Sequence, residues 1–209
     1  MTPHALIFDL DGVIADTVRA HEAGWSLVAA ELGIALTPEM LASFRGKRRA
    51  DILRTITGRE LSDAEMAAVM PTKTSHYDDF LAGLNDDHIL PGVEMLIEAG
   101  RKRGLGLAVA SSSYNARVVL TKLGLLERFD VIADGLTVFR AKPHPDIFIW
   151  AAGALRVRPV DCVVFEDADA GVTAALEAGM RVVGVGDPSI VGRAHIVVPD
   201  LAGFDLDSL

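Results

Sequence analysis

The first acids that could act on a substrate are Asp9 and Asp11, in Leu6-Ile7-Phe8-Asp9-Leu10-Asp11-Gly12-Val13-Ile14-Ala15-Asp16-Thr17. Two carboxylates stand two residues apart, directly after an apolar run and directly before a glycine. The run reads as a buried strand. Acids at its end are costly to bury unless paired, hydrogen-bonded or bound to a metal, and in an open α/β sheet the strand ends are where ligands bind. Residues two apart on a strand point to the same side, and where the strand unwinds the second side chain can turn to flank the same reacting atom. One acid can then attack as a nucleophile while the other moves a proton. A calcium loop also begins Asp-x-Asp. Here, however, the glycine directly follows the second acid, no Glu closes a twelve-residue loop, and a strand stands where a helix is required.

Three later segments have the same character. The run Leu107-Ala108-Val109-Ala110 ends in Ser111-Ser112-Ser113-Tyr114-Asn115, a strand-to-helix turn whose hydroxyls and amides make an anion site or simply a helix cap. Lys142 alone would be a solvated lysine, but Pro143 and Pro145 follow it and stiffen the backbone beside the ammonium group. The run Val163-Val164-Phe165 leads into Glu166-Asp167-Ala168-Asp169-Ala170-Gly171, again acids behind a buried strand. A hard, octahedral magnesium ion takes carboxylate and carbonyl oxygens plus water. Asp9, the main-chain carbonyl of Asp11 and Asp167 would suffice, with Glu166 as an additional or outer carboxylate.

The elements that must position these groups follow from the rest of the chain. Its 209 residues, half of them hydrophobic, can bury a substantial core without staples. Short apolar runs at Ala5 to Phe8, Leu107 to Ala110, Val131 to Ala133, Val163 to Phe165 and Val182 to Val185 recur between helical patterns. Two of those patterns, Val93 to Arg103 and Val172 to Ala178, end on a glycine. The alternation predicts an α/β fold with a doubly wound parallel sheet, a Rossmann-like core. From Thr17 to His88 no clear strand occurs, and the composition is helical. This predicts a helical cap over 17–88 inserted into a discontinuous core of 1–16 and 89–209. Asn85-Asp86-Asp87 through Pro91-Gly92 is the turn-prone return.

A net charge of −9 argues against nucleic acid, so an anionic substrate would need a local basic pocket. The single cysteine, Cys162, excludes an internal disulfide and reads as a buried, inert thiol. No apolar run has transmembrane length and no leader pattern precedes the first strand, so a cytoplasmic protein without a membrane, nucleic-acid or obligate protein partner is expected.

The pattern Asp-x-Asp-Gly-x-x-x-Asp-Thr from Asp9 to Thr17, the serine at the second strand end, Lys-Pro-x-Pro-Asp-Ile-Phe from Lys142 to Phe148, and Glu166-Asp167 together resemble the four motifs of the haloacid dehalogenase-like phosphotransferases. The resemblance implies a phosphate-accepting Asp9, a proton-shuttling Asp11, Ser111 and Lys142 on the transferring phosphate, and Mg2+ held by Asp9, Asp11, Glu166 and Asp167. Further segments, His21 to Trp25, Phe44 to Asp51 and Lys73 to Tyr77, are similar to the β-phosphoglucomutase branch of that family. That likeness implies interconversion of β-D-glucose 1-phosphate and glucose 6-phosphate through a 1,6-bisphosphate. It assigns Arg49 to the phosphate not being transferred, or Arg48 if the loop is displaced by one residue, with Ser113 and Asn115 completing the clamp. Gly46 and Ser112 join the substrate side, His21 positions Asp11, and Trp25 and Lys73 face the sugar. In place of the basic residue usual in that branch, Tyr114 stands between Ser113 and Asn115, and Lys47-Arg48 replace small uncharged residues. A phosphate-ester phosphatase of the same family is the alternative. A non-catalytic phosphosugar-binding domain is the third reading, and it leaves the filled catalytic positions without a use.

Overall fold

The computed structural model describes residues 3–209. Its centre is a six-stranded sheet of β1 (Ala5–Phe8), β2 (Gly106–Ala110), β3 (Val131–Ala133), β4 (Cys162–Glu166), β5 (Arg181–Val185) and β6 (Ile196–Val198). The order is β3-β2-β1-β4-β5-β6, and every neighbouring pair is parallel. Between β1 and β2 run α1 (Val18–Glu31), α2 (Pro38–Ser43), α3 (Arg49–Thr57) and α4 (Asp63–Gly83), the segment called the cap below. Helices α5 (Val93–Lys102), α6 (Ala116–Lys122), α7 (Asp146–Leu155), α8 (Asp169–Glu177) and the one-turn α9 (Pro188–Val191) complete the crossovers, as parallel strands require.

Because both faces of the sheet are covered, the strands are apolar throughout and alternate only in which layer they serve. Leu6 and Phe8 pack with Ile97 and Leu120 on one face, while Ala5 and Ile7 pack with Phe148 and Val172 on the other. Phe8 stacks on Phe165 at 4.9 Å between ring centroids. Replacing either fully buried ring with alanine would cost about 3–5 kcal/mol. Neighbouring β1 and β4 connect outward in opposite directions, so the crevice beyond their carboxyl ends is the topological switch point of the sheet.

The doubly wound parallel core expected from the sequence is present, with two differences in extent. The strand β6 was not foreseen, since its three apolar residues follow a polar turn and stop at Pro199. Helix α8 starts at Asp169 rather than Val172, because its first turn is the acidic stretch itself. The cap has its own apolar cluster, in which Trp25 and Val28 of α1 meet Phe44 and the α3 residues Ile52, Leu53 and Ile56. Its entry and exit segments lie side by side: Asp16 N donates to His88 O and Leu90 N to Ile14 O, both at 2.9 Å. Cys162 is buried, and burial pushes its thiol up to about 12. Among the described residues no helix is long and apolar enough to cross a membrane.

Candidate active site

Sheet register assembles the core half of the site. Phe8 is paired with Phe165 on one side and Val109 on the other. The next residues along these strands, Asp9, Glu166 and Ala110, therefore leave the sheet at one level, with Asp167 and Ser111 one step beyond. The ladder continues through Asp9 N, which donates to Phe165 O at 2.9 Å, and Ser111 N, which donates to Ala133 O at 2.9 Å. Gly12 adopts φ +86°, and a Cβ there would stand 2.2 Å from Asp167 Oδ2. Only glycine lets the first loop come this close to the acid of β4.

Lys142 reaches this level from the β3–α7 connection, with 1% of its surface exposed. Its ammonium donates to Asp9 Oδ1, to Glu166 Oε2 at 2.8 Å and to Ala110 O at 2.9 Å. All three donors of the ammonium are thereby used. Although burial opposes the charge, Asp9 and Glu166 hold Lys142 above the ordinary lysine value. Asp9, Glu166 and Asp167 offer oxygens within 4.8 Å of one another. Burial pushes the Asp9 carboxyl up against the pull of Lys142, and Glu166 and Asp11 add to the rise. Asp167 is raised too, by burial and then by repulsion from Glu166 and Asp9.

With all three carboxyls ionised against one ammonium the cluster would carry two negative charges, a repulsion that adds to burial in raising Asp9 and Asp167 in the absence of a cation. This all-oxygen cluster fits a hard dication such as magnesium in both charge and donor chemistry. Both oxygens of Glu166 already accept hydrogen bonds, Oε2 from Lys142 and Oε1 from Ala168 N at 3.2 Å.

The second acid faces the cap. Asp11 Oδ1 accepts from Thr17 Oγ1 at 2.5 Å and from His21 Nε2 at 3.2 Å. His21 Nδ1 in turn lies 3.1 Å from Lys73 Nζ. The His21 ring therefore bridges the Asp11 carboxylate and the Lys73 side chain. His21 also stacks on Tyr77, with centroids 4.3 Å apart. Burial would raise Asp11, but His21 and then Thr17 outweigh it and hold the carboxyl below its ordinary value. Burial, with Arg49 nearby, lowers Lys73 to about 8, and its ammonium sits over Tyr77 and Trp25.

One cleft is lined jointly by Asp9, Asp11, Ser112 and Ser113 from the core and by His21, Trp25, Gly46, Arg49 and Lys73 from the cap. Arg49, the first residue of α3, lies over the Tyr114 ring at 4.8 Å. Ser112 Oγ donates to Gly46 O at 2.7 Å, a direct core-to-cap bond. Ser111 is fully buried, and its Oγ accepts from Ser113 N at 3.0 Å. Ser111, Lys142, Glu166 and Asp167 lie beneath the cleft rather than in its lining, and of the residues expected on the second phosphate two do not line it. Asn115 is the N-cap of α6, and its amide N donates to Ser113 Oγ at 3.2 Å. Arg48 is turned across to the core, where Nη1 donates to Phe139 O and Nη2 to Val138 O. Both terminal nitrogens bond peptide carbonyls of the core and the residue stands outside the cleft lining, so in this arrangement it does not take the place expected for it as the alternative to Arg49.

Sequence reasoning also gave no role to two residues that touch the acids. Thr17 closes the first motif and donates to Asp11, so its place in that motif was the available signal. Arg45 carried none beyond its charge. It binds Glu22 at 3.0 Å and approaches Asp167 at 3.9 Å.

The profile described as haloacid dehalogenase-like hydrolase matches residues 6–185. A β-phosphoglucomutase of Bacillus subtilis strain 168 is 36% identical, with 98% of this chain and 93% of that protein covered. A fructose-1-phosphate phosphatase of Escherichia coli strain K12 is 33% identical, with 86% of this chain and 95% of that protein covered. The crystal structure of a β-phosphoglucomutase from Clostridium difficile matches with a TM-score of 0.93 at 34% identity, covering 100% of this chain and 95% of that one.

Proposed function

The chain belongs to the haloacid dehalogenase-like hydrolases, and on that premise we propose that it is a phosphotransferase interconverting β-D-glucose 1-phosphate and glucose 6-phosphate through an aspartyl phosphate and a 1,6-bisphosphate. The observation that carries this reading is the two-ended cleft, with the carboxylate of Asp9 at the core end and the guanidinium of Arg49 on the cap side. A site that only hydrolyses a monophosphate needs the first; a site that holds a bisphosphate in either orientation needs both. The names of the Bacillus and Clostridium relatives agree with it.

With Asp9 phosphorylated, the free hydroxyl of the sugar phosphate attacks the phosphorus, the bond to Asp9 breaks, and Asp11 takes the hydroxyl proton. The depressed value of Asp11 suits this start, since it enters as a base. After the bisphosphate turns end for end, Asp9 attacks the other phosphate and Asp11 returns the proton to the departing sugar oxygen. Lys142 holds Asp9 and supplies positive charge beside the transferring group, Ser111 serves its oxygens, Arg49 orients the distant phosphate by its planar fork, and His21 with Thr17 fixes the direction of Asp11. The closed cap excludes water, which would otherwise compete for the aspartyl phosphate. A magnesium ion held by Asp9, the Asp11 carbonyl and Asp167, with Glu166 behind them, would cancel the repulsion between nucleophile and phosphate.

The test incubates the protein with magnesium, β-glucose 1-phosphate and a trace of the 1,6-bisphosphate. Glucose 6-phosphate and inorganic phosphate are followed together. The expected result is isomer outrunning phosphate, with both lost in Asp9→Asn. Phosphate release without isomer would replace this reading with a sugar-phosphate phosphatase. That second reading draws on the neutral Tyr114 beside Arg49 and on the Escherichia coli relative.

A further inference from the structure

We propose that Arg48 is a positioning residue that straps the cap onto the core and so sets how well the aspartyl phosphate is shielded from water. The contact joins parts of the chain about ninety positions apart: the residue just before α3, and two successive carbonyls on the loop after β3. A guanidinium fork presents two parallel donors and stays charged at any working pH. It therefore spans consecutive carbonyls in a way that a single ammonium cannot.

The position of this contact gives it leverage. Val138 and Phe139 lie on the loop that goes on to Lys142, whose ammonium holds Asp9 and Glu166. Two residues before Arg48, Gly46 O accepts from Ser112, next to the buried Ser111. The stretch from Gly46 to Arg48 thus fastens the cap to the loops carrying two of the phosphate-facing groups. The covalent connection of the cap lies elsewhere, at the paired segments around Asp16 and His88. A lid pivoting at that pair and fastened at Arg48 must break the fastening to admit substrate. The strap is not fully paired: Arg48 Nε is buried without a partner. A contact that leaves one donor unmet is weaker than a complete one, as release in every cycle requires.

The consequence for catalysis rests on the phosphotransfer reading; the strap itself does not. With the cap fastened, the sugar hydroxyl is the acceptor within reach. With it loose, water attacks the phosphorus, its proton passes to Asp11, and the Asp9 carboxylate leaves without isomer being made.

The experiment compares full-length wild type with Arg48→Ala and Arg48→Lys. Backbone hydrogen exchange over 44–49 and 138–142 in magnesium buffer reports closure. The ratio of glucose 6-phosphate to free phosphate, and KM for the sugar phosphate, report its use. Hydrolysis of p-nitrophenyl phosphate, small enough to need no cap contact, reports the core alone. Losing two charge-assisted bonds should speed exchange in both segments and raise KM or lower the product ratio about tenfold in Arg48→Ala. Turnover of the small ester should stay within about twofold, and Arg48→Lys should recover part of the loss. Unchanged exchange, or an equal loss on the small ester, would overturn the proposal. Should wild type itself yield only phosphate, the isomerase reading fails, and exchange together with KM still decides the strap.

Discussion

The core and the cap each bury a lysine, and the two are held in opposite ways. Lys142 is enclosed by two carboxylates and a carbonyl, and its value is driven up. Lys73 is enclosed by Trp25, Tyr77 and the His21 ring, and burial with Arg49 nearby drives its value down to about 8. The core has paired its cation with its own anions before any ligand arrives. The cap has surrounded its cation with rings and another cation, an arrangement that an incoming phosphate would complete. On the proposed function the first would hold the nucleophile steady and the second would be stabilised by substrate.

The sharpest way to break this comparison is to remove each lysine in turn. Lys142→Ala leaves Asp9 and Glu166 as unpaired buried carboxylates, so unfolding free energy should fall by about 3–5 kcal/mol. Turnover of any phosphate ester should drop about 10³-fold. Lys73→Ala should cost little stability and spare small-ester hydrolysis. Chemical denaturation and p-nitrophenyl phosphate assays check both, and equal destabilisation by the two variants would end the distinction. Next in size, Arg49→Ala should lower isomer formation about 10²-fold while small-ester hydrolysis changes little. Equal losses in the two assays would show that Arg49 serves the transferring phosphate and not the distant one.

The same contrast explains which features were legible in the sequence. Asp9, Ser111, Glu166 and Asp167 each follow an apolar run, and parallel register brings consecutive strand ends to one level, so a one-dimensional pattern implied a three-dimensional cluster. Lys142 was legible through its neighbouring prolines. Arg45, Lys47, Arg48 and Arg49 follow no such rule. Four cations within five residues, three of them in the turn before α3 and one at its first position, differ in destination by the path of that turn and by side-chain reach, which composition does not encode. Arg45 goes to Glu22, Arg48 to the β3–α7 loop and Arg49 over Tyr114, while Lys47 lines the cleft. The helical nature of the cap was visible from the absence of strand pattern. Its fastening was not, because both acceptors of Arg48 are backbone carbonyls and leave no trace in residue type.

A smaller effect tests the link between the two regions. Asp11 belongs to the core motif, yet its depressed value comes from His21 on the cap and from Thr17. In saturating magnesium, which would keep Asp9 and Asp167 ionised, a base loses activity as pH falls through its own value, so the acidic limb of isomer formation should be that of Asp11 and lie below the ordinary carboxylate range. Removing His21 raises Asp11, and in His21→Gln the limb should move to higher pH with turnover at neutral pH down about tenfold. An unmoved limb would mean that His21 does not set the proton affinity of Asp11.

The smallest effect is on stability alone. Folding lowers Lys73 to about 8, whereas an unfolded lysine titrates near about 10.4. Between these values the unfolded chain binds the proton more than the folded one does, so the contribution of Lys73 to stability must rise with pH. The melting temperature of wild type relative to Lys73→Met should therefore increase from about pH 7.5 to about pH 9.5. Lys142 keeps its own proton through this window, because its folded value lies above the ordinary one. A Lys73 difference that shrinks as pH rises would mean that the cap lysine is held by anions after all, and the two regions would then treat their buried cations alike.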